Sequence, residues 1–144
     1  MPTRDIRIDK EGVWSYRGVA MSRQDILALF YRHLRQDRSG CCFIEIGRQR
    51  YPVEVEDTAY VVWAVRCPCL LLSDGSVEQL DPGTLRIGRD NIPYCKVKKG
   101  RFEARFSRSG YYQLAEHMEY DPLRDAFFIS LNGRLHYILD AASD

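Results

Sequence analysis

The chain has 144 residues, enough for one ordinary domain or two very small ones packed together. With 45% hydrophobic and 28% charged residues it can bury a core, which separates it from disordered chains. Its 21 Lys and Arg against 20 Asp and Glu leave a net charge of +1, without the basic excess of a dedicated nucleic-acid binder.

No apolar stretch is long enough to cross a bilayer; the longest runs, residues 60–65 and 70–72, have strand length. The start, Met1-Pro2-Thr3-Arg4-Asp5, lacks an apolar signal region, so the expected location is the cytoplasm, without membrane insertion. The odd set Cys41, Cys42, Cys67, Cys69 and Cys95 argues for reduced, mostly buried thiols rather than a disulfide framework.

Along the chain, residues 6–9 and 13–16 read as short strands around Glu11-Gly12, with Trp14 and Tyr16 on one face of the second. Ser22 opens a helix, and Asp25 three residues on supplies a variant capping box at the positive helix end. Ile26, Leu27, Leu29, Phe30 and Leu34 form its apolar stripe, and the helix is predicted to stop between Asp37 and Gly40. Residues 43–46 and 51–55 make a hairpin about Gly47-Arg48-Gln49. Residues 60–65 are apolar on both faces and belong in the centre of a sheet. Residues 70–72 and 77–80 flank Asp74-Gly75, a two-residue hairpin signal. After the turn at Asp81-Pro82-Gly83 come a short strand over 84–87 and a loop over 88–91. Residues 94–98 and 101–106 form a hairpin at Lys99-Gly100, with Phe102, Ala104 and Phe106 on one side and Arg101, Glu103 and Arg105 on the other. Ser107 caps a helix from about Arg108 to Glu119, with Tyr111, Tyr112, Leu114, Ala115 and Met118 on its apolar side. Residues 127–131 and 134–139 flank Asn132-Gly133, the strongest hairpin signal in the chain, and the tail 141–144 is expected to fray.

The order strand, helix, hairpin occurs twice. Placing Ser22-Arg23 on Ser107-Arg108, an offset of 107 − 22 = 85, sets Leu29 on Leu114 and Phe43-Ile44 on Phe128-Ile129. One residue later the offset is 133 − 47 = 86, and Gly47-Arg48 meets Gly133-Arg134. We therefore expect an α+β fold of two similar halves, an N-terminal half over 1–66, connecting strands over 67–93 and a C-terminal half over 94–144, forming one compact unit. A seam between duplicated halves is a common place for a ligand.

The first chemical candidate is the acidic strand Glu54-Val55-Glu56-Asp57. Glu54 and Glu56 share a strand face about 7 Å apart, which suits acid/base work or a cation, and equally an edge whose charges are solvated or paired with the basic hairpin. The second is the basic stretch Lys96, Lys98, Lys99, Arg101, Arg105 and Arg108. Arg108 falls in the first turn of a helix, where backbone N–H groups also attract anions, with Tyr111 and Tyr112 close by for stacking. Arg23 holds the matching place in the first half, and the plain alternative is a solvated charged surface. The cysteines and His33, His117 and His136 lack metal-site spacing, so no metal or cofactor is assigned. No P-loop, dinucleotide, nucleophile-elbow or kinase signature is present, so no catalytic residue is assigned either.

The run from Ile6-Arg7-Ile8-Asp9-Lys10-Glu11-Gly12-Val13-Trp14 through Gly18 and Met21-Ser22-Arg23 resembles the start of the bacterial domain-of-unknown-function 1285 family. Val53-Glu54-Val55-Glu56-Asp57, and Glu103-Ala104-Arg105-Phe106-Ser107-Arg108 followed by Tyr111-Tyr112-Gln113-Leu114-Ala115-Glu116, resemble its later signatures, whereas residues 67–91 depart from the pattern. The resemblance implies an α+β fold with structural duplication, a C-terminal half loosely like pleckstrin-homology domains, and no established activity. It also implies a site between the halves for a nucleotide-like molecule, and a signalling role.

The sequence thus leads to a non-enzymatic ligand-binding or regulatory module. Arg23, Arg105 and Arg108 would hold a small, nucleotide-like anion at the seam. Trp14, Tyr111 or Tyr112 would stack on it, and Glu54, Glu56 and Asp57 would orient the arginines or bind ligand hydroxyls. The alternatives are a metal-assisted hydrolase or transferase on the acidic strand and a protein-interaction adaptor with a protein partner. Direct nucleic-acid binding ranks last on charge.

Overall fold

The computed structural model describes residues 5–140 and is α+β. The chain divides into two compact units, Met1–Ala59 and Tyr60–Asp144. The strand at residues 60–66, assigned from sequence to the N-terminal half, pairs within the sheet of the second unit.

In the first unit β1 (Ile6–Ile8), β2 (Trp14–Tyr16) and β3 (Val19–Ala20) form an antiparallel meander. The first turn is tied by Asp9, whose Oδ1 accepts from the N–H groups of Glu11 and Val13. Helix α1 (Gln24–Arg32) follows, then a second meander of β4 (Leu34–Gln36), β5 (Cys42–Ile46) and β6 (Gln49–Val55). The sheet order is β3-β2-β1-β6-β5-β4, closed by parallel pairing of β1 with β6 at Ile6↔Val53. Ile8, Trp14, Tyr31, Leu34, Ile44 and Val53 are buried as its core.

Two sequence expectations change here. The N-cap of α1 is Arg23, not Ser22, and no side chain caps it; Asp25 instead binds the Arg23 guanidinium. The helix also stops at Arg32, five residues before Asp37, because Leu34 leaves it to pair with Ile44. Leu34 fits an apolar helix stripe and an inward strand position equally well, and the alternation of buried Leu34 with exposed Arg35 belongs to the strand.

The second unit opens with β7 (Tyr60–Arg66), β8 (Cys69–Leu72) and β9 (Val77–Gln79). A 3₁₀ turn at Pro82–Thr84, capped by the Asp81 carboxylate, takes the start of the predicted 84–87 strand, leaving β10 (Arg86–Ile87). Then come β11 (Pro93–Val97), β12 (Phe102–Phe106), α2 (Arg108–Ala115), β13 (Met118–Asp121), β14 (Ala126–Leu131), β15 (Arg134–Tyr137) and β16 (Leu139–Asp140). One sheet runs β16-β10-β11-β12-β7-β8-β9 and another β13-β14-β15. β7 is central, with Val61 and Val62 fully buried, as its two apolar faces require. Ser107 caps α2 as expected, its Oγ accepting from Gly110 N–H, but the helix ends at Ala115 and Met118 begins a strand. The tail 141–144 lies outside the described residues.

The duplication is visible in topology. In each unit a three-strand meander (β1-β2-β3, β10-β11-β12) leads into a helix and then a second antiparallel meander. A strand then returns parallel to the first: in the first unit β6, the last strand of the meander, beside β1, and in the second β16, which follows the meander, beside β10. Ile44 and Ile129 occupy matching inward positions, opposite Leu34 and Met118.

Where strands of the second unit run out, side-chain oxygens complete the ladder. Ser73 Oγ accepts from Val61 N–H at 3.0 Å, Thr84 Oγ1 from Lys96 N–H at 3.0 Å and Glu78 Oε1 from Lys98 N–H at 3.1 Å. Gln113 Oε1 accepts from Val65 N–H at 2.6 Å, which ties α2 along the half of β7 that β12 does not reach, on the side opposite β8. Each bond removes the penalty of an orphaned backbone donor.

Candidate functional site

The acidic strand is answered from within its own unit. β1 runs beside β6 with Arg7 opposite Glu54, and Arg7 reaches Glu54 at 3.5 Å and Glu56 at 3.3 Å. Glu56 also accepts from Lys10 N–H at 3.2 Å. The two carboxylates therefore flank one guanidinium from β1, not the basic hairpin that the sequence offered as partner. Asp57 is exposed beyond them, next to buried Thr58.

Trp14, expected to stack on a ligand, is 1% exposed and packs against Tyr31 at 5.0 Å and Phe30 at 5.8 Å. It is a core side chain, and its indole N–H has no acceptor among the described residues. Arg23 is exposed and bound to Asp25 at 2.8 Å; that hydrogen bond holds the Asp25 carboxyl below the ordinary aspartate range.

The basic stretch separates into distinct roles. Lys98 is held at the hairpin turn, its Nζ 2.7 Å from Asp74 and 2.8 Å from Ser76 Oγ, and over the Tyr60 ring at 5.4 Å. Burial alone would raise the Asp74 carboxyl. The hydrogen bonds from Lys98 and Ser76 and the Lys98 charge outweigh it and hold the group below the ordinary range. Glu103 is taken by Arg86 at 2.9 Å, and Arg86 stacks on Tyr94 at 4.4 Å. Arg105 is half-buried on β12, opposite Tyr94 and beside Val61.

Lys96, Lys99 and Arg101 are exposed too, but only Arg108 of the stretch lies in a helix, at the start of α2. Arg108 is exposed, and no described carboxylate answers it. Ser107 Oγ is occupied by Gly110 N–H and the Ser107 carbonyl by Tyr111 N–H. The N–H groups of Arg108 and Ser109 are the ones left open at this positive helix end. Tyr111 and Tyr112 stand three and four residues on, so they share the helix face of Arg108. Their rings stack at 6.2 Å with 22° between planes, and Tyr112 is 62% exposed. The first turns of α2 thus carry a guanidinium, two backbone donors and an open aromatic ring.

The sequence reading missed Ser109, whose contribution is backbone only, and the pairings of Arg7, Asp25 and Asp74, which depend on turns and strand order. Among the described residues no three His, Cys, Asp or Glu side chains are grouped to hold a metal ion. All five thiols are free. Cys42 and Cys95 alone are buried, so the expectation of mostly buried thiols does not hold; burial pushes them up to about 11 and about 12. Among the described residues no helix is long and apolar enough to cross a membrane.

No family model and no curated protein matches the chain. Two solved structures are similar to it. A DUF1285 family protein from Silicibacter pomeroyi matches with a TM-score of 0.74 and 20% identity over 96% of this chain and 81% of that one. A DUF1285 family protein from Shewanella baltica matches with a TM-score of 0.66 and 18% identity over 81% of this chain and 94% of that one. The chain therefore has the fold of DUF1285 family proteins, the family that its motifs resemble.

Proposed function

We propose that the protein is a DUF1285 family member that works in the cytoplasm as a small-ligand-binding regulatory module in signalling. Its ligand is a small anion of nucleotide-like chemistry held at the start of α2. The observation that carries this reading is the contrast between the two helix starts. Arg23 is neutralised by Asp25, whereas Arg108 is unanswered by any described carboxylate and shares its face with the stacked Tyr111 and Tyr112. Only the second start keeps its positive charge available.

Titration calorimetry with a panel of nucleoside monophosphates, cyclic nucleotides and inorganic phosphate tests it. Arg108→Ala should weaken nucleotide binding by at least about tenfold, since a charge-assisted hydrogen bond contributes roughly 1.5–3 kcal/mol. Arg23→Ala should leave affinity unchanged, and Tyr112→Ala should weaken nucleotides but not phosphate. Equal affinity of the wild type and Arg108→Ala would end the assignment.

A protein-interaction role is the second reading, favoured by the exposed Trp63, Leu71 and Val77 on neighbouring strands. A metal-assisted hydrolase on Glu54 and Glu56 ranks below both, because the Arg7 guanidinium already reaches both carboxylates, where a cation would have to sit.

A further inference from the structure

β9 ends the seven-stranded sheet, and its outer side pairs with no described strand. Leu72 N–H donates to Ser76 O and Leu80 N–H to Pro68 O, so residues 76, 78 and 80 turn their backbone groups toward β8. By the alternation of an antiparallel ladder, the N–H and C=O groups of Val77 and Gln79 point away from the sheet. The edge of β4 in the first unit is different: Arg35 folds back over it and donates to the Leu34 carbonyl at 3.1 Å.

The two faces beside β9 differ in chemistry. On the outer face Val77, 63% exposed, stands next to Leu71, and Leu71 next to Trp63, which is 41% exposed. A bulge between Val62 and Ala64 sets Trp63 and Ala64 together opposite Leu71. On the inner face Glu78, Asp74 and Lys98 lie together, two carboxylates against one ammonium, which leaves a surplus negative charge.

We propose that β9 is a docking edge for an extended segment of another protein. Backbone groups of that segment continue the ladder at Val77 and Gln79. Its apolar side chains extend the Trp63–Leu71–Val77 row, and a basic side chain between them answers Glu78. A second copy of this chain fits less well, because two-fold pairing centred on the strand sets Glu78 against Glu78.

The probe is a capped peptide, Thr-Val-Lys-Val-Thr, compared with Thr-Val-Glu-Val-Thr at equal ionic strength, with amide exchange read residue by residue by NMR. The lysine peptide should slow exchange at Val77 and Gln79 and bind at least about tenfold more tightly than the glutamate peptide. Val77→Lys should abolish this slowing with an unchanged melting temperature. Glu78→Gln, which also touches Lys98, should reduce the preference between the peptides. Three results overturn the proposal: Val77 and Gln79 amides that still exchange freely at saturating peptide, peptides that bind equally, or protection of the two amides on concentrating the protein alone, which would assign the edge to a second copy.

Discussion

Gly110 sits inside α2 with nowhere for a side chain to go. A Cβ there would lie 2.8 Å from the Val62 carbonyl oxygen, a backbone atom that cannot swing aside. In an open helix Gly→Ala stabilises by about 1 kcal/mol; here overpacking opposes it at about 1–3 kcal/mol. Gly110→Ala should therefore lower the denaturation midpoint, while a raised midpoint would mean that α2 is not seated against β7. A glycine in a predicted helix is visible in sequence, but its reason is not, since Val62 lies 48 residues earlier. Trp14 marks the same limit. Its type suits stacking on a ligand or filling a core, and only its place against Tyr31 and Phe30 decides for the core. Arg23 and Arg108 look equivalent after their serines, yet Asp25 neutralises one, and Tyr111 and Tyr112 flank the other.

Elements with a local signature were the legible ones. The hairpin at Asn132-Gly133 stands as read and that at Asp74-Gly75 forms with a three-residue loop, Ser73 to Gly75, instead of two; Gly133 at φ 77° and Gly75 at φ 86° adopt a backbone that other residues resist. Both helices were read too long, and for one shared reason. Leu34 and Met118 continue an apolar helical stripe but open strands opposite Ile44 and Ile129, a pairing that local periodicity does not carry. The link between the β8–β9 hairpin and the β11–β12 turn was likewise invisible, since Asp74 and Lys98 meet only after the sheet forms. It should set the acid response of the fold. A carboxyl whose native value lies below its unfolded one binds protons more readily when unfolded. Its contribution is thus complete above the ordinary value of 3.8 and is lost as pH falls below it. Lys98→Met should cost about 1–3 kcal/mol at neutral pH. It should also flatten the decline of the melting temperature below about pH 4, where Asp74 titrates. A variant with the wild-type acid profile would show that the pair is not stabilising.

At the scale of the whole molecule, one meander–helix–meander plan appears in both units, with β7, β8 and β9 added to the second. The fold persists in the Silicibacter pomeroyi and Shewanella baltica proteins at 20% and 18% identity, so it tolerates wide change in side chains. Ile44 and Ile129 hold matching inward places in the two units, while the helix starts at Arg23 and Arg108 differ in their charge pairing. In the first unit Arg7 is paired with Glu54 and Glu56, and Arg23 with Asp25. The second leaves Arg108 open, and there we locate the ligand. The most direct test is an NMR titration of the wild-type protein with a nucleoside monophosphate, following each backbone amide. The account predicts that the largest saturable shifts fall on Arg108 and Ser109, with ring-current changes at Tyr111 and Tyr112. Saturable shifts that leave these residues untouched and gather elsewhere would contradict it.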